Sequence, residues 1–103
     1  MCFAKGNYEN ALVEYRKALE VRLKVIGTDH PNTAESYNNI GMVYHEKGDY
    51  ENALVEYRKA LEVRFKMLGP DHPNTTESYN NIVGVYYAKG DYKNAIVEYC
   101  KAL

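Results

Sequence analysis

"KGDYENALVEYRKALEVRFKMLG" occupies residues 47–69. Its apolar and small positions fall at Ala53, Leu54, Tyr57, Ala60, Leu61 and Leu68, with the long-stemmed Arg64 on the same stripe. Most of these follow the i, i+3, i+4, i+7 spacing of a helix that buries one face. The ends are marked as well. Gly48 can close a preceding helix, and the Asp49 carboxylate can accept from the free amides of a new first turn. Gly69 closes the segment, and Pro70 cannot continue it. Glu62 and Lys66 stand four apart on the polar side, acid first, which predicts a surface ion pair.

Working outward, the same words recur. "KGNYENALVEYRKALEVRLKVIG" fills residues 5–27 and "KGDYKNAIVEYCKAL" fills 89–103, so Lys5, Lys47 and Lys89 mark a period of 42 residues. Roughly three quarters of aligned positions are identical, and a period of this size signals a stacked array of small units. Between these stretches lie "GTDHPNTAESYNNIG" (27–41) and "GPDHPNTTESYNNIV" (69–83). They open a second helix per unit. Pro31 suits a first helical turn, since its missing amide proton would be unpaired there anyway. Asn32 followed by Glu35 also resembles a capping box, and the two signals place the start a residue or two apart. The packing face is Tyr37, Ile40, Gly41 and Tyr44, with Gly41 allowing close approach of a neighbouring helix. In the later copy this position is Val83 and the glycine moves to Gly84, where a helix interior should lose about 1 kcal/mol relative to Ala.

The totals exclude several classes. The 103 residues carry a formal charge of −1, whereas a nucleic-acid binder needs a basic excess. No apolar run reaches the roughly 20 residues of a membrane span, and "MCFAKGNYENA" lacks the layout of a secretory leader. The expected setting is cytoplasmic. Cys2 and Cys100 offer no ligand spacing or disulfide framework and read as free thiols. Eleven Tyr and no Trp point to aromatic packing.

Tyr37-x2-Ile40-Gly41-x2-Tyr44, followed by Ala53-x3-Tyr57 and Ala60, resembles the tetratricopeptide repeat, with Tyr where that family often has Trp or Phe. The usual unit is about 34 residues; here the surplus falls in the "LGPDHPNT" connection and a longer second helix. That unit, with its Asn-Asn-aliphatic triplet, is similar to the repeats of kinesin light chain and of nephrocystin-3-like proteins. The resemblance covers essentially the whole chain. It implies an all-α, right-handed solenoid of antiparallel helix pairs, in one domain: a partial unit at 1–27, a full unit at 28–69, and a nearly full unit at 70–103. "MCFA" aligns with the tail of a first helix at 43–46, and polar terminal caps are absent from the sequence. The chain is therefore expected to be part of a longer array with adhesive end faces.

The resemblance further implies that the first helices line a concave groove about 20 Å long, room for about six extended residues. Off their packing face lie Glu35, Asn38, Asn39, Met42 and His45, and then Glu77, Asn80, Asn81, Gly84 and Tyr87. An Asn amide both donates and accepts, so a row of them can bond the backbone of an extended peptide, as the resemblance to light-chain repeats implies. The other reading is that one Asn of each pair bonds a neighbouring helix or faces water. Glu35, Glu46 and Glu77 occupy places where carboxylate-gripping arrays carry cations, so a neutral or basic segment is expected rather than an acidic one.

Other chemistries fare worse. Asp29-His30 and Asp71-His72 give two potential ligands each, short of a metal site, and capping explains them better. Asn74-Thr75-Thr76 fits a glycosylation acceptor, but its sibling Asn32-Thr33-Ala34 does not. Phosphate loops, nucleophile elbows and catalytic triads are missing from the sequence. The expectation is a non-catalytic, cofactor-free protein-interaction module with no nucleic-acid or membrane partner. The rival is a structural segment that stacks head-to-tail with other copies.

Overall fold

In the computed structural model, which describes residues 7–102, five α-helices follow one another: α1 (Tyr8–Val25), α2 (Pro31–Lys47), α3 (Tyr50–Leu68), α4 (Pro73–Lys89) and α5 (Tyr92–Ala102). Each packs chiefly on its neighbours in sequence, so the core is a series of junctions rather than one centre. Cys2 and the Lys5-Gly6 repeat mark lie outside the described residues.

The helix limits follow from the punctuation. Asp49 accepts from the Asn52 amide at 3.4 Å, as its place before α3 predicts. Gly48 and Gly90 adopt φ of +84° and +81° at the ends of α2 and α4, a left-handed turn open to glycine at little cost. The starts of α2 and α4 differ from the capping-box expectation. His30 caps α2 with Nδ1, accepting from the Asn32 amide at 3.0 Å, and His72 does the same for Asn74 at 3.0 Å. Pro31 and Pro73 hold the first helical turn. The ring reaches two residues ahead, which leaves Glu35 free for an ion pair.

Two junctions repeat the same packing. Leu12 of α1 meets Ile40 and Val43 of α2. Ala53, Leu54 and Tyr57 of α3 meet Ile82 and Val85 of α4. Ile40, Val43, Ile82 and Val85 are wholly buried, and burying each such side chain contributes about 1.5–3 kcal/mol. Within the unit, Ala34 of α2 lies against Ala60 and Val63 of α3, where small residues let the helices close up.

Polar groups lock the connections. Thr33 Oγ1 donates to the Gly27 carbonyl at 2.7 Å, and Thr75 Oγ1 to the Gly69 carbonyl at 2.8 Å. Arg64, placed by spacing on the apolar stripe of α3, is 5 % exposed. Its Nη1 donates to the Asn74 carbonyl at 3.2 Å, to Glu77 at 3.0 Å and to Ser78 Oγ at 3.0 Å. Arg22 repeats this with Asn32, Ser36 and Glu35. The expected Glu62–Lys66 pair is not formed: Lys66 reaches Asp29 at 2.6 Å instead, a link between the two ends of the 28–69 unit.

Candidate functional site

Helices α2 and α4 form one layer and α3 and α5 another, as two long-range contacts show. Asn81 Nδ2 of α4 donates to Asn38 Oδ1 of α2 at 2.7 Å. Arg58 of α3 donates to Glu98 of α5 at 3.2 Å. The first bond joins the second Asn of one pair to the first Asn of the pair before it. It satisfies one donor and one acceptor, and each amide keeps further capacity, since an Asn offers two donors and two lone pairs. Asn39 is half-buried and Asn80 exposed, and neither side chain is hydrogen-bonded among the described residues. The four amides thus form a row across the two helices, one link of it closed.

The remaining residues singled out by sequence divide into three groups. Glu35 and Glu77 turn towards the preceding second helix, where Arg22 and Arg64 hold them at 3.3 and 3.0 Å. Their charge is thereby matched, and the layer is closer to neutral than a count of its acids implies. Met42 is partly buried against the α3–α4 core and supplies packing there. His45 lies edge-on to Tyr50, with ring centroids 5.8 Å apart, beside Gly84. Tyr87 meets Tyr92 in a similar way at 5.0 Å and is 66 % exposed.

Close packing of α2 on α3 also places Tyr57 behind this layer. Burial, with the fields of Glu46 and Glu77, pushes its hydroxyl up to about 12. Both negative fields disfavour the phenolate. Sequence spacing did not reveal the part taken by Arg22 and Arg64. The available signal was an arginine recurring in the apolar stripe, at position 22 and again at 64.

Asp29 and His30 have structural employment, one with Lys66 and the other as a cap. Among the described residues no group of three or more His, Cys, Asp or Glu side chains is placed to hold a metal ion. No helix among them is long and apolar enough to cross a membrane. Cys100 is a free, exposed thiol.

The tetratricopeptide repeat family model matches residues 1–66 and, in a second overlapping span, 50–103. Among solved structures, the crystal structure of BtubC (BKLC) from P. vanneervenii is similar, with a TM-score of 0.86 and 26% sequence identity. The match covers 94% of this chain and 38% of that one, so the chain spans well under half the length of that structure. No curated protein matches the chain.

Proposed function

The chain belongs to the tetratricopeptide repeat family, and from that premise we propose that the layer formed by α2 and α4 is the concave face of an array and binds an extended segment of another protein. Such repeats generally serve protein–protein interaction, and their stacking creates long curved surfaces. The Asn38–Asn81 bond carries the proposal. It brings amides from successive units into one row, at the spacing of adjacent units, with donor and acceptor capacity left over. A row of this kind bonds peptide N–H and C=O groups in alternation and reads no side chain directly.

Asn38, Asn39, Asn80 and Asn81 carry the backbone contacts in this reading. Tyr87 supplies an exposed aromatic edge, and His45 and Met42 the floor between units. Glu35 and Glu77 flank the row with their charge held by arginine, and Glu46 remains as the uncompensated acid. The ligand is accordingly neutral or somewhat basic. The module performs no catalysis and needs no cofactor, and its setting is the cytosol, where exposed thiols such as Cys100 stay reduced. Units 28–69 and 70–103 each contribute one first helix, so affinity is modest and grows with additional units.

The test is a binding titration of the chain with extended peptides of graded charge, beside a variant carrying Asn38→Ala, Asn39→Ala, Asn80→Ala and Asn81→Ala, with folding checked by circular dichroism. Saturable binding of neutral or basic peptides that the variant loses supports the reading. Equal binding by a folded variant would reduce the Asn row to an interhelix brace.

A further inference from the structure

In the layer formed by α2 and α4, one stripe of residues four apart differs between the two helices. Asn38, Met42 and Glu46 make this stripe in α2, and Asn80, Gly84 and Ala88 hold the same places in α4. Residues at this spacing lie one above the other on a single helix face. The amide is kept in both copies. The thioether of Met42 becomes a hydrogen at Gly84, and the carboxylate of Glu46 becomes a methyl group at Ala88. Past Asn80, α4 therefore lays a floor of bare backbone and one methyl group, a helical turn or about 5.4 Å long.

The α2 side of this floor carries side chains. His45 Cε1 stands 3.8 Å from where a Cβ on Gly84 would be, and nothing else outside α4 lies within 4 Å of that point. Edge-on contact with Tyr50 holds the His45 ring in place, and neither of its ring nitrogens is hydrogen-bonded among the described residues. Met42 is half-buried against the α3–α4 core. Glu46 is exposed and makes no ion pair among the described residues, whereas Arg22 and Arg64 hold Glu35 and Glu77 in the same layer. The lysines that end the two helices are also engaged elsewhere, Lys47 by Glu9 and Lys89 by Glu51. One uncompensated carboxylate thus overlooks a floor with room for a side chain.

We propose that the Gly84–Ala88 floor is a side-chain subsite of the groove and takes an arginine or lysine of the bound segment. The aliphatic stem lies along the floor beside Met42 and the His45 ring, and the cationic head meets the Glu46 carboxylate. Long cationic side chains cover apolar surface with their stems and keep their heads in water. That division suits a floor half-buried at Gly84 and exposed at Ala88 and Glu46. Arginine fits better than lysine, because its planar head can lie on a ring and pair with a carboxylate through two N–H groups. Glu46 repels an acidic side chain at the same place. The subsite rests on the groove reading of α2 and α4, and it adds what the Asn row lacks. The amides bond main chain and read no side chain, whereas Gly84 and Glu46 read one and so fix the register of the segment.

Extended Ala–Ser hexapeptides with one central arginine, lysine, norleucine or glutamate test this by titration into the isotope-labelled chain. Amide shifts report affinity and position, and spectral dispersion reports that each variant is folded. The arginine peptide should bind about twofold to fivefold more tightly than the norleucine peptide, the range of an exposed ion pair, and the glutamate peptide most weakly. Shifts should centre on His45, Gly84 and Ala88. Glu46→Gln should erase the arginine preference, and so should Gly84→Met, which puts the α2 residue on the floor. The variant with all four Asn38, Asn39, Asn80 and Asn81 changed to Ala should weaken every peptide and keep their order. Peptides that bind the parent without an arginine preference, and are lost by the Asn variant, would sink the subsite and leave the groove reading standing. A preference that survives Glu46→Gln or Gly84→Met, or shifts confined to Tyr92, Ile96 and Tyr99, would also overturn the subsite. Binding of none of the peptides would overturn the subsite and the groove reading together.

Discussion

Gly41 and Gly84 lie one position apart in the aligned first helices, and replacing each with alanine should have opposite effects. In an open helix interior, glycine to alanine gains about 0.5–1 kcal/mol through lost backbone freedom in the unfolded chain. Gly84 comes close to that case. The new Cβ would meet only His45 Cε1, at 3.8 Å, an ordinary contact. Gly41→Ala would put its Cβ 2.8 and 2.9 Å from Tyr57 Cδ1 and Cε1, where carbon atoms prefer about 3.5–4.0 Å. The ring has no room to retreat, since Tyr57 is 3 % exposed and packed among Ala53, Leu54, Ile82 and Val85. Helices α2 and α3 must therefore separate by several tenths of an ångström, at a cost of about 1–3 kcal/mol for overpacking. Set against the propensity gain, Gly41→Ala should be neutral to about 2 kcal/mol destabilising, and Gly84→Ala stabilising by up to about 1 kcal/mol. Urea unfolding followed by far-UV circular dichroism resolves a difference of this size, provided the slope with denaturant is unchanged. A Gly41→Ala variant as stabilised as Gly84→Ala would refute the close approach of α2 to Tyr57.

Two further predictions concern buried polar groups. Arg64→Ala removes three hydrogen bonds to the start of α4 and leaves the buried Ser78 hydroxyl without its donor; a loss of about 2–4 kcal/mol is expected. Arg22→Ala should lose less, because that side chain is 32% exposed, and equal losses in urea unfolding would contradict the contrast in burial. For Tyr57 the folded value of about 12 lies above the ordinary value near 10. The unfolded chain therefore ionises first, and stability present below pH 10 falls between about pH 10 and 12, by on the order of 2–3 kcal/mol. Tyr57→Phe should remove that part of the alkaline loss, and matching alkaline profiles for variant and parent would show that the ring is not held neutral by its surroundings.

The repeat made the fold legible. An amphipathic segment by itself could pack anywhere, but one written at 5–27, 47–69 and 89–103 fixes each unit's neighbours, because like units bury like faces. Gly48, Asp49 and Pro31 then set the helix limits through local chemistry that any chain would obey. At the start of α2, Pro31 stood and the capping box did not, for a reason of the same kind. Asn32 and Glu35 fit a capping box on paper, and only the three-dimensional course of the chain shows His30 already at the Asn32 amide. Glu35 and Glu77 were read as open groove charge because their partners, Arg22 and Arg64, lie 13 residues earlier on a different helix. Sequence spacing within one helix carries no trace of that contact.

The candidate site poses the harder case, because the near-identity that reveals the array hides where its units differ in use. Glu9, Glu51 and Lys93 align without drawing notice, as one charged residue at a helix start in three copies. The substitution acquires meaning only once the first two are seen to grip Lys47 and Lys89 across a junction. The same holds for Val83 in place of Gly41, a mild change in a helix read alone and a steric one beside Tyr57. In a repeat protein the shared residues specify how a unit packs, and the departures specify what each unit faces.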